Sequence, residues 1–255
     1  RERPSLLVHT AAHKHVPLME RVPDEAVKNN IFGTLNVALA SASAGIGKVI
    51  LISTDKAVEP SCVYGATKRV CELIFSMMNK ISANTIYNVV RFGNVIGSRG
   101  SVIPLFEAQA ASGHDLTVTH PDVTRYFMSI KNACDLILET VEFDDRGKLF
   151  LLDMDKPVKI IKLAENIIKK YEDKNIKIVY TGLRKGEKLH EKLSYDNENL
   201  TPIPGKRILR ADLPETDVEK LKLLLSSLEK TADDPKKIEE IEPILKEIVP
   251  EFKRI

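Results

Sequence analysis

Lys48–Ser53 reads KVILIS, a near-continuous run of β-branched and aliphatic residues. A strand with one face in water alternates apolar and polar residues, so an unbroken run belongs to a strand covered on both faces. Before it, from Asp24 to about Ala44, Val27, Ile31, Leu35, Val37 and Leu39 recur with helical spacing, and Gly45 and Gly47 mark the end. After it a helix is expected from Tyr64 to about Ile81, followed by a strand at Thr85–Phe92 (TIYNVVRF); Ser5–Thr10 (SLLVHT) supplies a short buried strand upstream. Strands alternating with helices of this length make βαβ units and a parallel sheet. In such sheets ligands bind beyond the carboxyl ends of the strands, here Thr10–His15, Ser53–Lys56 and Gly93–Gly100.

Past Ser101 the rhythm changes. Pro104–Gly113 reads as a short helix, Asp115–Thr119 as a strand, Ser129–Glu142 as a helix, Lys148–Asp153 as a strand, Ile160–Tyr171 as a helix and Lys177–Tyr180 as a strand. This is the pattern of a smaller, less regular α+β lobe. Glu215–Ile255 is densely charged and helical, with Leu221, Leu224, Leu225 and Leu228 on one apolar face and Ile238, Ile241 and Leu245 on the next. Asp234 followed by Pro235 is a helix start, Asp as N-cap and Pro in the first turn. The charge runs read as solvated helix faces. The expected organisation is residues 1–103 as the later part of a doubly wound domain, 104–211 mainly as a second lobe with room for returns to the first sheet, and 212–255 as a charged helical tail.

Composition narrows the class of function. Charged residues make up 29% of the 255 residues and the net charge is +2, too mild for a nucleic-acid or anionic-membrane partner. Aromatics at 5%, with no Trp, leave no base-stacking surface. Cys62, Cys71 and Cys134 are odd in number and scattered; they read as reduced thiols in or near a core, which places the protein in the cytoplasm. No apolar run approaches the roughly 18 residues of a membrane span and no leader precedes the first strand, so any membrane anchor is expected upstream of Arg1.

A dinucleotide-binding fold opens with a strand, a Gly-rich turn and a helix, and carries an acidic residue after its second strand. Nothing here matches: Gly45-Ile46-Gly47 ends a helix rather than joining strand to helix, a C-cap feature. With Arg1–Pro4 running straight into an apolar strand and no initiating Met, the expectation is a doubly wound sheet without its first strands and without the cradle for a pyrophosphate.

Tyr64-Gly-Ala-Thr-Lys68 puts a Tyr and a Lys on one face at a helix start. An ammonium near a phenol favours the phenolate, and such a Tyr can accept a proton from a hydroxyl while a hydride leaves the same carbon. Tyr and Lys at this spacing arise by chance in many chains, so the pair alone decides little. Its position adds weight: Ser53-Thr54-Asp55-Lys56, an acid beside a base, ends the buried strand just before it. His9, His13 and His15 sit at a strand end, but no carboxylate or Cys at ligand spacing joins them, and no metal site is expected.

Taken together, these stretches resemble the extended short-chain dehydrogenase/reductase superfamily, and within it the polysaccharide-biosynthesis group of UDP-N-acetylglucosamine 4,6-dehydratases. The resemblance rests on HTAAHKHVPLME (His9–Glu20), NNIFGTLNV (Asn29–Val37), LISTDKAVEPSCVYGATKR (Leu51–Arg69), VRFGNVIGSRGSVIPLF (Val90–Phe106), TRYFM (Thr124–Met128) and GLRKGEKLHEKL (Gly182–Leu193), in the family's order over most of Leu6–Ile208. The closing IVPEF (Ile248–Phe252) is similar to the membrane-associated branch.

The fold this implies is α/β: a Rossmann-like doubly wound parallel sheet, N-terminally truncated, with a smaller α+β substrate lobe and a helical C-terminal tail. The activity it implies is a lyase reaction on a UDP-sugar with NAD or NADP, by transient C4 oxidation, loss of water across C5–C6 and hydride return. In that reaction Tyr64 would deprotonate the 4-hydroxyl, Lys68 would hold the nicotinamide ribose and depress the Tyr64 pKa, Lys56 would take the C5 proton and Asp55 would protonate the departing 6-hydroxyl. Thr10, Ile52, Ser53 and Val95, with Tyr64 and Lys68, would line the cofactor. Lys14, Asn94, Arg99, Gly100, Ser101, Val102, Ile103, Arg125, Arg184 and Glu187 would hold the UDP-sugar, the Arg forks suiting a diphosphate. The family resemblance also implies a homo-oligomer. Many members of the membrane-associated branch carry Met where Tyr64 stands, whereas the soluble C5-inverting branch carries Tyr, which leaves the C5 configuration of the product open.

Two rival readings remain at this level. A UDP-sugar 4-epimerase of the same superfamily would need neither a base at C5 nor an acid at C6, and Asp55-Lys56 argues against it. A non-catalytic fragment that only binds nucleotide sugar or partner subunits is the other: without a Gly-rich helix start the pyrophosphate loses its backbone donors, and the exposed sheet edge is an aggregation hazard. On that view the 255 residues alone bind NAD(P) weakly and turn over poorly.

Overall fold

A computed structural model describes the chain at Glu2 and over residues 4–98, 100–171 and 174–255. A six-stranded sheet contains β1 (Leu6–His9), β2 (Lys48–Thr54), β3 (Ile86–Phe92), β4 (Lys148–Leu152), β5 (Thr201–Pro202) and β6 (Ile208–Asp212), in the order β1-β2-β3-β4-β6-β5. The first four strands run parallel; β6 pairs antiparallel with β4, and β5 antiparallel with β6. The main α-helices are α1 (Gly33–Ser43), α2 (Val63–Ile81), α3 (Val102–Ala111), α4 (Ile130–Val141), α5 (Ile160–Ile168), α6 (Val218–Ala232) and α7 (Ile241–Ile248).

The register of β2 accounts for KVILIS. Val49 and Leu51 face one side and join the helices α1 and α2, while Ile50 faces the other and joins Val90, Phe92, Phe150 and Ile208. With apolar layers on both faces, each successive side chain from Val49 to Ile52 meets apolar neighbours. The sheet is thus the expected Rossmann-like α/β arrangement, and Lys148–Leu152 and Ile208–Asp212, from beyond Ser101 in sequence, extend it.

The layer on the first face begins with one helical stretch: Pro23–Ala26, a π turn at Val27–Phe32, then α1. A π turn of this kind is uncommon inside a helix and concentrates at functional positions. Here it carries the buried Asn30, whose side-chain amide donates to the His13 carbonyl at 3.1 Å and the Thr67 hydroxyl at 3.0 Å, and accepts from the His13 N–H at 2.7 Å. Asn30 thereby ties the loop after β1 to helix α2.

Helices α6 and α7 belong to this same layer. Leu221, Leu224, Leu225 and Leu228, with Ile241 and Leu245, are buried in one cluster with Val27, Ile31, Val70 and Ile74. Each such leucine contributes about 1.5–3 kcal/mol of burial. The segment expected as a tail therefore closes the principal core, and its charges lie on the outward faces. The turn at Asp234–Pro235 does start a helix, with Asp234 accepting from the Lys236 N–H at 3.0 Å, but Pro235–Glu240 is 3-10 and α geometry begins at Ile241.

The smaller lobe has its own core of Phe106, Ala110, Leu116, Ile160, Ala164 and Ile167, under a parallel pair formed by Leu116–Val118 and Ile178–Tyr180. Short pairings, Asn94–Val95 with Phe127–Met128 and Thr124–Arg125 with Val158–Lys159, connect β3 to this lobe. Cys62 and Cys71 are buried, whereas Cys134 is exposed on α4, outside any core. Among the described residues no helix is long and apolar enough to cross a membrane.

Candidate active site

β2 ends at Thr54 and the chain makes one 3-10 turn, Asp55–Ala57. The Thr54 hydroxyl donates to Asp55 Oδ1 at 2.9 Å and accepts from the Lys56 N–H at 3.4 Å. At the start of α2, Cys62 Sγ accepts from the Gly65 N–H at 3.3 Å and Glu20 accepts from the Val63 N–H at 2.7 Å, a carboxylate placed against the positive end of the helix dipole. A Cβ on Gly65 would lie 2.2 Å from the Lys56 carbonyl oxygen, so only glycine lets the two turns approach. The glycine between Tyr64 and Lys68 is what brings the Lys56 turn against the first turn of α2.

A cleft of about 470 Å³ opens between the sheet unit and the smaller lobe, beyond the carboxyl ends of β1, β2 and β3. Thr10, Ile52, Ser53, Tyr64, Lys68 and Val95 line it, as do Lys56, Lys14, Asn94, Gly100, Ser101, Val102, Arg125, Arg184 and Glu187. Two anticipated residues stand elsewhere. Asp55 is fully buried beneath Lys56, held by the Thr54 hydroxyl, and Ile103 packs into the core of the smaller lobe. Arg99 lies outside the described residues.

Lys56 Nζ donates to Asp55 Oδ1 at 3.1 Å and Asn94 Oδ1 at 3.4 Å, and lies 3.5 Å from Glu191 Oε1. Burial pulls this ammonium down, but the carboxylates of Asp55 and Glu191 outweigh burial and the nearby Arg125, and hold it above the ordinary lysine value. Burial pushes the Tyr64 phenol up to about 12, against the downward pull of the Lys56 ammonium and the Thr54 hydroxyl. Lys56 thus pulls on the phenol from the turn before α2, a second cation beside the Lys68 to which the sequence pointed. Lys68 is 3% exposed, burial holds it below the ordinary lysine value, and among the described residues no carboxylate forms an ion pair with it. His9 is likewise pushed down to about 4, by burial and then by Lys68, and its ring bonds the Thr34 hydroxyl at 3.0 Å.

At the wall of the cleft, Arg125 proves largely engaged by the protein itself. Its NH1 donates to the carbonyls of Thr124 (2.7 Å) and Leu189 (3.2 Å), and its NH2 to Glu187 Oε1 (3.0 Å) and the Lys188 carbonyl (2.9 Å). Arg125 thus clamps the Arg184–Glu191 loop onto the cleft, where the sequence suggested a free fork. Arg184 is exposed on that loop, and its N–H donates to Glu187 Oε2 at 3.2 Å. The Ser101 hydroxyl is buried at the cleft wall without a hydrogen-bond partner among the described residues.

Residues 1–212 match the family model described as "Polysaccharide biosynthesis protein". The chain belongs to this polysaccharide biosynthesis family. Within it, the chain is 52% identical over 200 residues to the capsular polysaccharide biosynthesis protein CapD of Staphylococcus aureus, covering 77% of this chain and 33% of CapD. It is 39% identical to a UDP-N-acetylglucosamine 4,6-dehydratase (inverting) of Campylobacter jejuni, over 76% of this chain and 58% of that protein. It is 38% identical to a UDP-glucose 4-epimerase of Rickettsia rickettsii, over 74% and 56% respectively. The solved structure of Pen from Bacillus thuringiensis superposes with a TM-score of 0.77 at 37% identity, covering 83% of this chain and 66% of that one. The chain thus spans about a third to three-fifths of the length of these curated relatives.

Several site residues of this family member escaped the sequence. Glu191 lies inside the quoted GLRKGEKLHEKL stretch and lines the same cleft as Glu187, but on an irregular loop no spacing rule marks it. Thr54 stood inside Ser-Thr-Asp-Lys. Glu72, which receives the Ser53 hydroxyl at 2.6 Å, has Arg69 one turn before it on α2, but nothing in the sequence points to its distant partners Ser53 and Arg91.

Proposed function

We propose that this protein converts UDP-N-acetylglucosamine to its 4-keto-6-deoxy derivative, as a nucleotide-sugar 4,6-dehydratase of surface polysaccharide synthesis. The observation that carries this reading is the convergence of Lys56 and Tyr64 on one cleft at the carboxyl ends of parallel strands. An epimerase acting only at C4 needs the phenolate but no proton acceptor at C5 and no proton donor at C6, and Lys56 with the buried carboxylate of Asp55 at 3.1 Å offers both.

NAD or NADP fits the side of the cleft formed by Thr10, Ile52, Ser53 and Val95, where the buried Lys68 ammonium, without an ion-pair partner among the described residues, offers donors for ribose hydroxyls. When bound, it supplies the hydride acceptor at C4 and the donor at C6 within one turnover. Tyr64 takes the proton of the 4-hydroxyl; the Lys56 ammonium favours the phenolate this requires. The C4 ketone acidifies C5, and Lys56, once its proton has passed to the Asp55 carboxylate, takes the C5 proton. Asp55, 3.1 Å behind Lys56, exchanges protons with that amine, so the pair delivers a proton to the departing 6-hydroxyl and water leaves. Arg184 suits the diphosphate, Lys14 and the Ser101 hydroxyl the sugar–nucleotide edges.

The test is incubation of the full-length protein with UDP-N-acetylglucosamine and NAD or NADP. Loss of one water with solvent deuterium at C5 supports dehydration, and Lys56→Met should abolish both while leaving nucleotide-sugar binding intact. UDP-N-acetylgalactosamine formed without water loss would overturn it.

A further inference from the structure

Glu191 is a carboxylate at the cleft wall with an unusual setting. Its side chain is 3% exposed, yet Oε2 has no hydrogen-bond partner among the described residues. Around it stand three cations, all just beyond hydrogen-bond distance: Lys56 Nζ at 3.5 Å and Arg125 Nε at 4.0 Å from Oε1, and Lys188 Nζ at 3.9 Å from Oε2. Buried carboxylates ordinarily collect several direct hydrogen bonds. Among the described residues this one has only charged neighbours at longer range, and it shares the Lys56 amine with Asp55.

We propose that Glu191 is a positioning residue for Lys56, drawing its amine into the cleft and holding it as the ammonium. For the catalytic role this rests on the reading of Lys56 as the C5 base. Every group that faces Lys56 bears on the sign. Asp55 from its own turn and Glu191 from the 184–193 loop favour the charged form, and Arg125 opposes it. The neutral Asn94 amide accepts a hydrogen bond from it, and Tyr64 and Cys62, at the start of α2, are both neutral near pH 7 because burial raises them. Lys188 Nζ donates to the Val58 carbonyl at 2.7 Å and stands 3.9 Å from Glu191 Oε2. Burial works against the ammonium throughout, so with one of two carboxylates removed the amine sheds its proton at lower pH. Arg125 keeps its Glu187 pairing without Glu191, so the loop clamp stays closed.

Competitive labelling of lysine amines with trace acetic anhydride, read by mass spectrometry at Lys56 in the full-length protein, tests this without relying on turnover. Each unit by which the amine's pKa falls raises its reactive fraction tenfold at fixed pH. Glu191→Gln should raise Lys56 labelling at pH 9 at least tenfold, Glu191→Leu should do the same, and Glu191→Asp, which keeps the charge, should stay near wild type. Labelling of both uncharged variants within twofold of wild type overturns the proposal. In turnover assays, the rise of kcat with pH should begin at least one unit lower in Glu191→Gln, with KM for the nucleotide sugar changed little. A wild-type protein that releases no water refutes the dehydratase reading and leaves the labelling result to judge Glu191.

Discussion

Ser53 and Arg91 are register partners on the adjacent parallel strands β2 and β3, so both side chains leave the same face of the sheet toward α2. Glu72 receives them there: it accepts from the Ser53 hydroxyl at 2.6 Å, from Arg91 Nε at 3.1 Å and NH2 at 2.8 Å, and from Arg69 NH1 at 2.9 Å. Glu72 and Arg91 are both fully buried, and Arg91 is completed by Glu198 at 2.8 Å and 3.0 Å. Burial alone would raise the Glu72 carboxyl, but Arg91 and Arg69 hold it down at about 2. The drop from the ordinary 4.5 to about 2 corresponds to about 3 kcal/mol. That agrees in size with the roughly 3–5 kcal/mol lost when one partner of a buried ion pair is removed.

Glu72→Gln should therefore destabilise the protein by about 3–5 kcal/mol, because its amide turns donors toward guanidinium donors and leaves Arg69 and Arg91 to share Glu198. Urea unfolding followed by far-UV circular dichroism at pH 7 measures this. The pH dependence gives an independent check. The folded-state value lies below the unfolded one, so the contribution is complete above pH 4.5 and is lost as pH falls through about 2. The stability difference between wild type and Glu72→Gln should shrink across that window. A cost below about 1 kcal/mol at pH 7, or a difference flat from pH 5 to pH 2.5, would refute the claim that this carboxylate anchors Ser53 and Arg91 beneath the cleft.

Gly65→Ala drives a methyl to 2.2 Å from the Lys56 carbonyl, and should cost about 1–3 kcal/mol in thermal unfolding and separate the Lys56 turn from Tyr64, lowering kcat more than it raises KM. Arg254 reaches Glu20 at 2.6 Å and Glu242 at 2.5 Å, and Glu20 in turn caps α2 at Val63; Arg254→Ala should cost about 2–3 kcal/mol by urea unfolding, with Arg254→Lys recovering only part because it lacks the fork. His9, held at about 4 by burial, resists protonation in the fold while the unfolded chain takes up a proton near 6.5, so stability is full above pH 6.5 and declines toward pH 4. Replacing it in His9→Gln should flatten that slope in a series of urea midpoints.

What the sequence disclosed follows how far each contact reaches along the chain. KVILIS announced a doubly covered strand because burial on both faces is written into the run itself. The partners of Lys148–Leu152 were not legible in the same way, since a strand's own pattern does not say which edge it joins. The 218–248 segment showed its leucine face plainly, but the density of Lys and Glu on the other face read as a solvated tail, although those leucines seal the core over α1 and α2. The same division runs through the site. Lys56 and Tyr64 lie a few residues apart, and a strand end, a short turn and a helix start suffice to bring them together. Their ionisation does not come from that neighbourhood alone: Glu191 arrives from a distant loop and, with Asp55, favours the Lys56 ammonium, while Arg125, from the Thr124–Arg125 strand, opposes it. A motif can name a candidate acid and base, but how firmly each holds its proton also depends on charges delivered by the rest of the fold; at this cleft Asp55, next in sequence to Lys56, is the larger carboxylate influence and Glu191, on the loop that Arg125 clamps, adds the second.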